Sequence, residues 1–184
     1  MPVHDDLGKR MKTYYEAIPK TSLMRRTPVA IRIDGKAFHT FTRGFERPFD
    51  TLLVNVMQQT TKKLCENIQN CVFGYTQSDE ITLILVDYKD INTAAWFDYE
   101  VQKLCSISAS MATLYFNKFF KQSVEEFDIN SIIKEKEVDN YKLLNSYKRA
   151  LNTGAMFDSR CFNIPKEEVC NLIYWRQLDA TRNS

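Results

Sequence analysis

Only two histidines, His4 and His39, occur among the 184 residues. A histidine-rich metal centre is therefore excluded, and any metal must be a hard cation held by oxygen. The five cysteines (Cys65, Cys71, Cys105, Cys161 and Cys170) are odd in number and never stand as C-x-x-C. That pattern fits neither a disulfide framework nor a zinc site, and suits reduced, mostly buried thiols. No run approaches the roughly 20 apolar residues of a membrane span, and no G-x-x-x-x-G-K-S/T phosphate loop occurs. Met1 to Arg10 is polar and carries Asp5 and Asp6, unlike a secretion signal. Internal repeats, low-complexity tracts and linkers are lacking too. The expectation is one domain over residues 1–184, without a membrane segment, soluble and cytoplasmic.

What is present is unevenly spread. Residues 1–63 hold 12 Lys and Arg against 6 Asp and Glu, residues 64–140 hold 6 against 13, and residues 141–184 hold 7 against 4. Two basic outer segments around an acidic middle suit a nucleic-acid binder with a metal-binding centre, and suit ordinary uneven surface charge equally well.

The patterning predicts a short helix over Asp5–Ala17, with Leu7, Met11 and Tyr14 on one face, ending before Pro19. Pro28–Gly35 alternates as a strand, Val29, Ile31 and Ile33 facing one way and Ala30, Arg32 and Asp34 the other. Asp50 can cap a helix to about Asn70, with Leu53, Met57, Thr60, Leu64 and Ile68 in one stripe. Cys71–Tyr75 and Ile81–Val86 read as a hairpin with a polar tip over residues 76–80. A long helix is expected over Thr93–Phe120. Its small residues Ser106, Ser108, Ala109, Ser110 and Ala112 suit close approach to a core neighbour or to another subunit. Gln122–Thr153 reads as a helical excursion over the surface, Ala155–Ile164 as a fourth strand, and Pro165 as the start of a last helix to Trp175 or beyond. The order β-α-β-β-α-β is an α+β, ferredoxin-like arrangement with helices packed on an antiparallel sheet.

That topology makes neighbours of two carboxylate-bearing strand ends, Asp34 and the hairpin pair Asp79-Glu80. Mg²⁺ takes one or two carboxylates in octahedral oxygen geometry, and Asp34, Asp79 and the carbonyl of Gly35 meet that need. Turn aspartates bonded to their own backbone are an equally good reading of the same spacing. The stretch Gly35–His39 can curl its amides around a triphosphate, although Phe38 suits a core and His39 a structural hydrogen bond just as well. The basic residues Arg25, Arg26, Arg43, Arg47, Lys62, Lys63, Lys148, Arg149, Arg160, Arg176 and Arg182 suit phosphate oxygens or simple solvation. Tyr14, Tyr15, Tyr174 and Trp175 suit base stacking or core.

Four motifs then occur in order: Ile31-Arg-Ile-Asp-Gly-Lys-Ala-Phe-His39, Tyr75-Thr-Gln-Ser-Asp-Glu80, Phe157-Asp-Ser-Arg160 and Trp175-Arg-Gln-Leu-Asp179. Together they resemble the tRNA(His) guanylyltransferase family, including its bacterial and archaeal tRNA-repair relatives, from about Pro28 onward. The resemblance implies a palm-like catalytic domain, like that of ordinary polymerases, that adds nucleotides to the 5′ end of tRNA in the 3′-to-5′ direction. It implies two Mg²⁺ ions held by Asp34, the Gly35 carbonyl and Asp79, with Glu80 the third acidic, catalytic position. It implies a nucleotide cradled by Asp34, Gly35, Lys36, Ala37, Phe38 and His39 beside Ser78 and Asp79, with Arg32, Arg47 and Asp50 near the triphosphate. GTP or another nucleoside triphosphate, ATP for 5′ activation, and tRNA are the implied partners. Arg160, Arg176 and Arg182 are the candidates for tRNA contact, and a dimer of dimers is the implied assembly. Where the eukaryotic members carry His-Ile-Asn-Asn, this chain has Asp179-Ala-Thr-Arg-Asn-Ser184, which favours templated repair of 5′-truncated tRNA. Relatives continue further, so a C-terminal part is expected to be lacking here, and Gln122–Thr153 is longer than in the eukaryotic members. A nucleotide-cyclase-like palm enzyme and a non-catalytic tRNA-binding module are the alternatives.

Overall fold

A computed structural model describes residues 6–133 and 138–183, with side chains described for 6–128 and 140–179. Its helices are α1 (Asp6–Met11), α2 (Phe38–Phe41), α3 (Thr51–Asn67), α4 (Val101–Ile133), α5 (Val138–Thr153) and α6 (Val169–Asn183). Its strands are β1 (Val29–Gly35), β2 (Cys71–Gln77), β3 (Glu80–Leu85) and β4 (Phe157–Asn163). They form one antiparallel sheet in the order β2-β3-β1-β4. This is the expected β-α-β-β-α-β order, with α2 folded into the loop before α3 and α5 appended to α4.

The alternation of β1 does the sorting. Val29, Ile31 and Ile33 are fully buried in the larger core, while Arg32 and Asp34 are only partly covered on the other face. On the buried face lie α3 and α4. Asp50 caps α3 by accepting from the Leu53 amide at 2.9 Å, and Val56, Met57, Thr60, Thr61 and Leu64 turn inward. Ser108 and Ala112, both fully buried, let α4 approach β4 closely, where the Ser108 and Ser159 hydroxyls meet at 2.8 Å. Part of the small-residue stripe is thus a core seam. Phe38, Phe41, Phe45, Phe116, Phe120, Phe157 and Tyr147 fill the space beside it, with ring centroids such as 5.0 Å for Phe38–Phe41 and 5.3 Å for Phe41–Phe120. On the opposite face a smaller cluster joins Ala30 and Ile84 to Ile164 and Leu172, which brings α6 across one end of the sheet.

Several expectations shift. The hairpin strands extend through Gln77 and Glu80, so the tip is only Ser78-Asp79, with Ser78 in the left-handed region (φ 55°). The long helix begins at Val101 because Phe97, Asp98 and Tyr99 take positive φ in a tight turn, and it runs on to Ile133. The described parts of 122–153 are not confined to the surface: Val124, Leu144, Tyr147 and Ala150 belong to the core. The last helix opens with a tight turn over Lys166–Glu168, and α1 passes into a π-helical turn at Lys12–Glu16 with no buried residue in either. All five thiols are free, four half-buried and Cys170 exposed.

Candidate active site

On the open face, a groove of about 550 Å³ lies between the start of α3, the β2–β3 hairpin, β1 and α6. Its walls include Arg32, Asp34, Asp50, Ser78, Asp79 and Glu80 from the sequence reading, joined by Trp175 and Arg176 of α6. Backbone pairing explains the convergence. Asp34 sits opposite Glu80 on one side and Asp158 on the other, and the Gly35 amide donates to the Asp79 carbonyl at 3.2 Å. The end of β1 and the hairpin tip are thereby tied together.

The four carboxylates differ in their partners. Glu80 accepts from Arg32 Nε at 3.0 Å and Arg176 Nε at 2.6 Å, and its second oxygen meets Arg176 Nη2. Both guanidinium groups also lie over the Trp175 ring, at 5.2 and 4.4 Å from its centroid. Asp179 completes that network at 2.9 Å from Arg176. Asp158 pairs with Arg160 at 3.0 Å. Among the described residues Asp34 and Asp79 have no cation in salt-bridge reach, and the Asp79 carboxylate accepts only from Ser78 Oγ at 3.0 Å. Burial, then the negative charge of Asp79, Glu80 and Asp158, pushes the Asp34 carboxyl above the ordinary aspartate range, with Arg160 pulling the other way. Two adjacent carboxylates left without a counter-charge in a groove are a donor set for a cation. Among the described residues no three His, Cys, Asp or Glu side chains form a ready-made cage. An ion here would need two carboxylates plus backbone or substrate oxygens, the pattern Mg²⁺ favours.

The remaining candidates divide. Lys36, Ala37 and His39 are exposed on the loop after β1, with Ala37 left-handed (φ 54°) where α2 begins. His39 Nε2 meets Thr40 Oγ1 at 3.1 Å. Phe38 turns its ring away from this surface into the aromatic core. It also explains the glycine before it: a Cβ at Gly35 would lie 2.2 Å from that ring. Asp50 reaches the groove wall, yet its oxygens accept from the Leu53 and Glu46 amides and from Tyr147 Oη at 2.8 Å. Arg47 is exposed in the segment before α3 and does not line the groove. Arg160 is exposed on β4, Arg176 is locked to Glu80, and the Arg182 side chain lies outside the described residues, as do those of residues 180–184. Arg25 and Arg26 serve the fold: Arg25 Nε and the Arg26 backbone amide donate to Asp87, and the Arg26 guanidinium donates to the carbonyls of Asp90 and Ile91. Tyr14, Tyr15, Tyr174 and Trp175 are exposed rather than core.

Sequence reasoning missed the Arg176–Glu80 clamp, formed across 96 positions, and the proximity of Asp158. The signals for Asp158 were its place in the fourth strand and in the Phe157-Asp-Ser-Arg160 motif, where only Arg160 was given a site role.

Among the described helices none is long and apolar enough to cross a membrane. A family model described as "Thg1: tRNAHis guanylyltransferase" matches residues 8–165. A bacterial tRNA(His) guanylyltransferase (Thg1)-like protein, solved in complex with GTP, superposes with a TM-score of 0.77 at 36% identity, covering 97% of this chain and 68% of that one. A probable tRNA(His) guanylyltransferase of Drosophila melanogaster is 37% identical over 166 residues, 89% of this chain and 48% of that protein. An uncharacterized protein of Acanthamoeba polyphaga mimivirus is 30% identical over 193 residues, 99% of this chain and 61% of that protein. The chain thus spans about half to three-fifths of the length of these two curated relatives.

Proposed function

The chain belongs to the tRNAHis guanylyltransferase family, and from that premise we propose a Mg²⁺-dependent nucleotidyltransferase that adds nucleotides to the 5′ end of tRNA. In this reading residues 1–184 form one palm-like catalytic domain working in the 3′-to-5′ direction, on 5′-truncated tRNA and against a template base. The observation that carries it is the Asp34–Asp79 pair: the groove's other acids are capped or paired, and these two are not. Asp34, Asp79 and the Gly35 carbonyl would hold two Mg²⁺ ions. Such ions neutralise charge on the reacting phosphates and favour ionisation of an attacking hydroxyl.

The protein's own groups supply positioning. The backbone of the stretch Asp34–His39 and Ser78 would face an incoming GTP or other nucleoside triphosphate, with Arg47 near its phosphates. Arg32 and Arg176, each fixed by Glu80 and Trp175, hold positive charge at one wall without a side-chain rearrangement during reaction. Glu80 therefore acts through these arginines as the structure stands. An oxygen of the tRNA 5′-monophosphate first attacks the α-phosphorus of ATP, which gives an adenylylated 5′ end and releases pyrophosphate. The 3′-hydroxyl of the incoming nucleotide then attacks the 5′ phosphorus; the new P–O bond forms as the bond to AMP breaks, AMP leaves and the hydroxyl proton passes to solvent. A cytoplasmic setting and assembly as a dimer of dimers complete the proposal.

The test is incorporation of labelled nucleotide into 5′-monophosphorylated tRNA lacking its first residue, with Mg²⁺ and ATP. Wild type is run beside Asp34→Ala and Asp79→Ala. Templated addition by wild type that both variants lose supports the proposal. Consumption of nucleotide without tRNA would indicate a cyclase, and binding of tRNA without addition a binding module.

A further inference from the structure

The end of α5 lies against the loop that follows Asp34, and between them is a second groove of about 300 Å³. The charged residues lining it are Lys36, Arg43 and Arg149; no carboxylate does, and the Thr40 and Thr153 side chains add polarity. Arg149 is held in place, its Nη2 donating to the carbonyls of Phe41 at 3.0 Å and Arg43 at 2.6 Å. A guanidinium has five N–H donors, so these bonds orient the group and leave Nε and Nη1 for a ligand.

Several cations elsewhere are matched to acids, while others, such as Arg47, stand apart on open surface rather than around one concavity. Arg25 is matched to Asp87, Arg32 and Arg176 to Glu80, Arg160 to Asp158, and Lys148 to Asp128. Lys36, Arg43 and Arg149 meet no carboxylate among the described residues. Like charges gathered around one concavity repel, and a polyanion relieves that repulsion.

Location selects the polyanion. Lys36 is two residues from Asp34, and its amide donates to the Met156 carbonyl at 2.8 Å. The groove and the candidate active site therefore occupy two sides of one short loop, yet share no lining residue. A strand whose reacting end lies at Asp34 must carry its next phosphates over neighbouring surface, and this surface offers the cations.

We propose that the groove between α2 and α5 docks the phosphodiester backbone of the RNA substrate next to its reacting end. The inference rests on the Asp34–Asp79 groove being the active site for an RNA 5′ end. It gives α5, which the sequence left without a role, a function in substrate binding.

The probes are 5′-truncated tRNA, bound across a range of salt concentration, and GTP bound in parallel. The variants are Arg43→Gln, where the native side chain is exposed and makes no bond among the described residues, Arg43→Lys as the conservative control, and Thr153→Glu. Each phosphate contact adds about 0.7 to 0.9 to the slope of log K against log salt. Arg43→Gln is expected to lower that slope by about one and to weaken tRNA binding several-fold at low salt. Arg43→Lys is expected to restore it, Thr153→Glu to weaken binding further, and GTP affinity to stay unchanged in all three. Unaltered slope and affinity in both Arg43→Gln and Thr153→Glu would overturn the proposal. So would a loss of GTP binding equal to that of tRNA, which would assign the groove to a nucleotide triphosphate. Wild type that binds no tRNA overturns it as well. Weaker tRNA binding by the variants, alongside a wild type that adds no nucleotide, would sink the functional reading while supporting the groove.

Discussion

On one face of the sheet Ile31, Ile33, Ile81 and Leu83 are fully buried against α3 and α4. One residue along in the same strands, on the other face, stand Arg32, Asp34, Glu80 and Thr82. The first face is settled by apolar area removed from water, at about 25 cal/mol per Å², and its neighbours are almost interchangeable in kind. The second is settled by charge against charge, and each acid there has a particular partner or a particular lack of one. Folding and chemistry are thus separated by the 180° alternation of a strand rather than by distance along the chain.

Mutations can break that separation if it is wrong. The largest effect is expected at Asp79, whose carboxylate has its only hydrogen bond among the described residues with Ser78. Asp79→Ala should cut nucleotide addition at least 10⁴-fold, about 5 kcal/mol of barrier, while its thermal midpoint stays with wild type; a matching loss of stability would show the faces are not separate. Phe116→Ala is the converse. That ring is fully buried among Phe38, Phe41, Phe120 and Phe157, so denaturant unfolding should show a loss of about 3–5 kcal/mol. Arg176→Leu lies between the two, since it removes the clamp on Glu80 and one contact of α6 with the sheet. It should cost about 1–3 kcal/mol together with a fall in kcat, and an effect on stability alone would remove the arginines from the mechanism.

The smallest effect is a shift in pH dependence. Asp34 holds its proton more tightly in the folded protein than a free aspartate does. Its protonated form therefore stabilises the fold at low pH, and that contribution is lost as pH rises through the raised folded value. Cation binding runs oppositely and is lost as pH falls through that value. Asp158→Asn removes a charge that raises the Asp34 pKa, so the acid limb of the Mg²⁺-dependent rate should move to lower pH. Arg160→Gln removes a charge that lowers it, and the limb should move up. Identical acid limbs in the two variants would count against Asp34 as the titrating group.

Much of this was legible in the residues. The alternation of Val29 to Asp34, the cap at Asp50 and the hairpin around Asp79 are local patterns, and the sheet order followed from them. The start of α4 was not legible, because Phe97 keeps the helical spacing of apolar residues while its backbone is left-handed. Burial of α5 was hidden by its charges, although Leu144, Tyr147 and Ala150 recur every three residues. The Arg176–Glu80 clamp joins residues 96 positions apart, and no local pattern carries such a pairing. The sequence reading placed Asp34 and Asp79 as neighbours, but could not show that every other acid beside them is already taken.

The contact between Gly35 and the Phe38 ring links the two faces after all. Only the missing Cβ lets the end of β1, next to Asp34, lie against a ring seated in the aromatic core. For a lineage drifting at these positions, a larger residue at 35 is blocked while Phe38 stands, and a smaller residue at 38 opens a void while Gly35 remains. The two sites can change only as a pair, so homologous sequences should show them covarying or both fixed, and a library randomised at 35 and 38 should yield few active clones outside that diagonal.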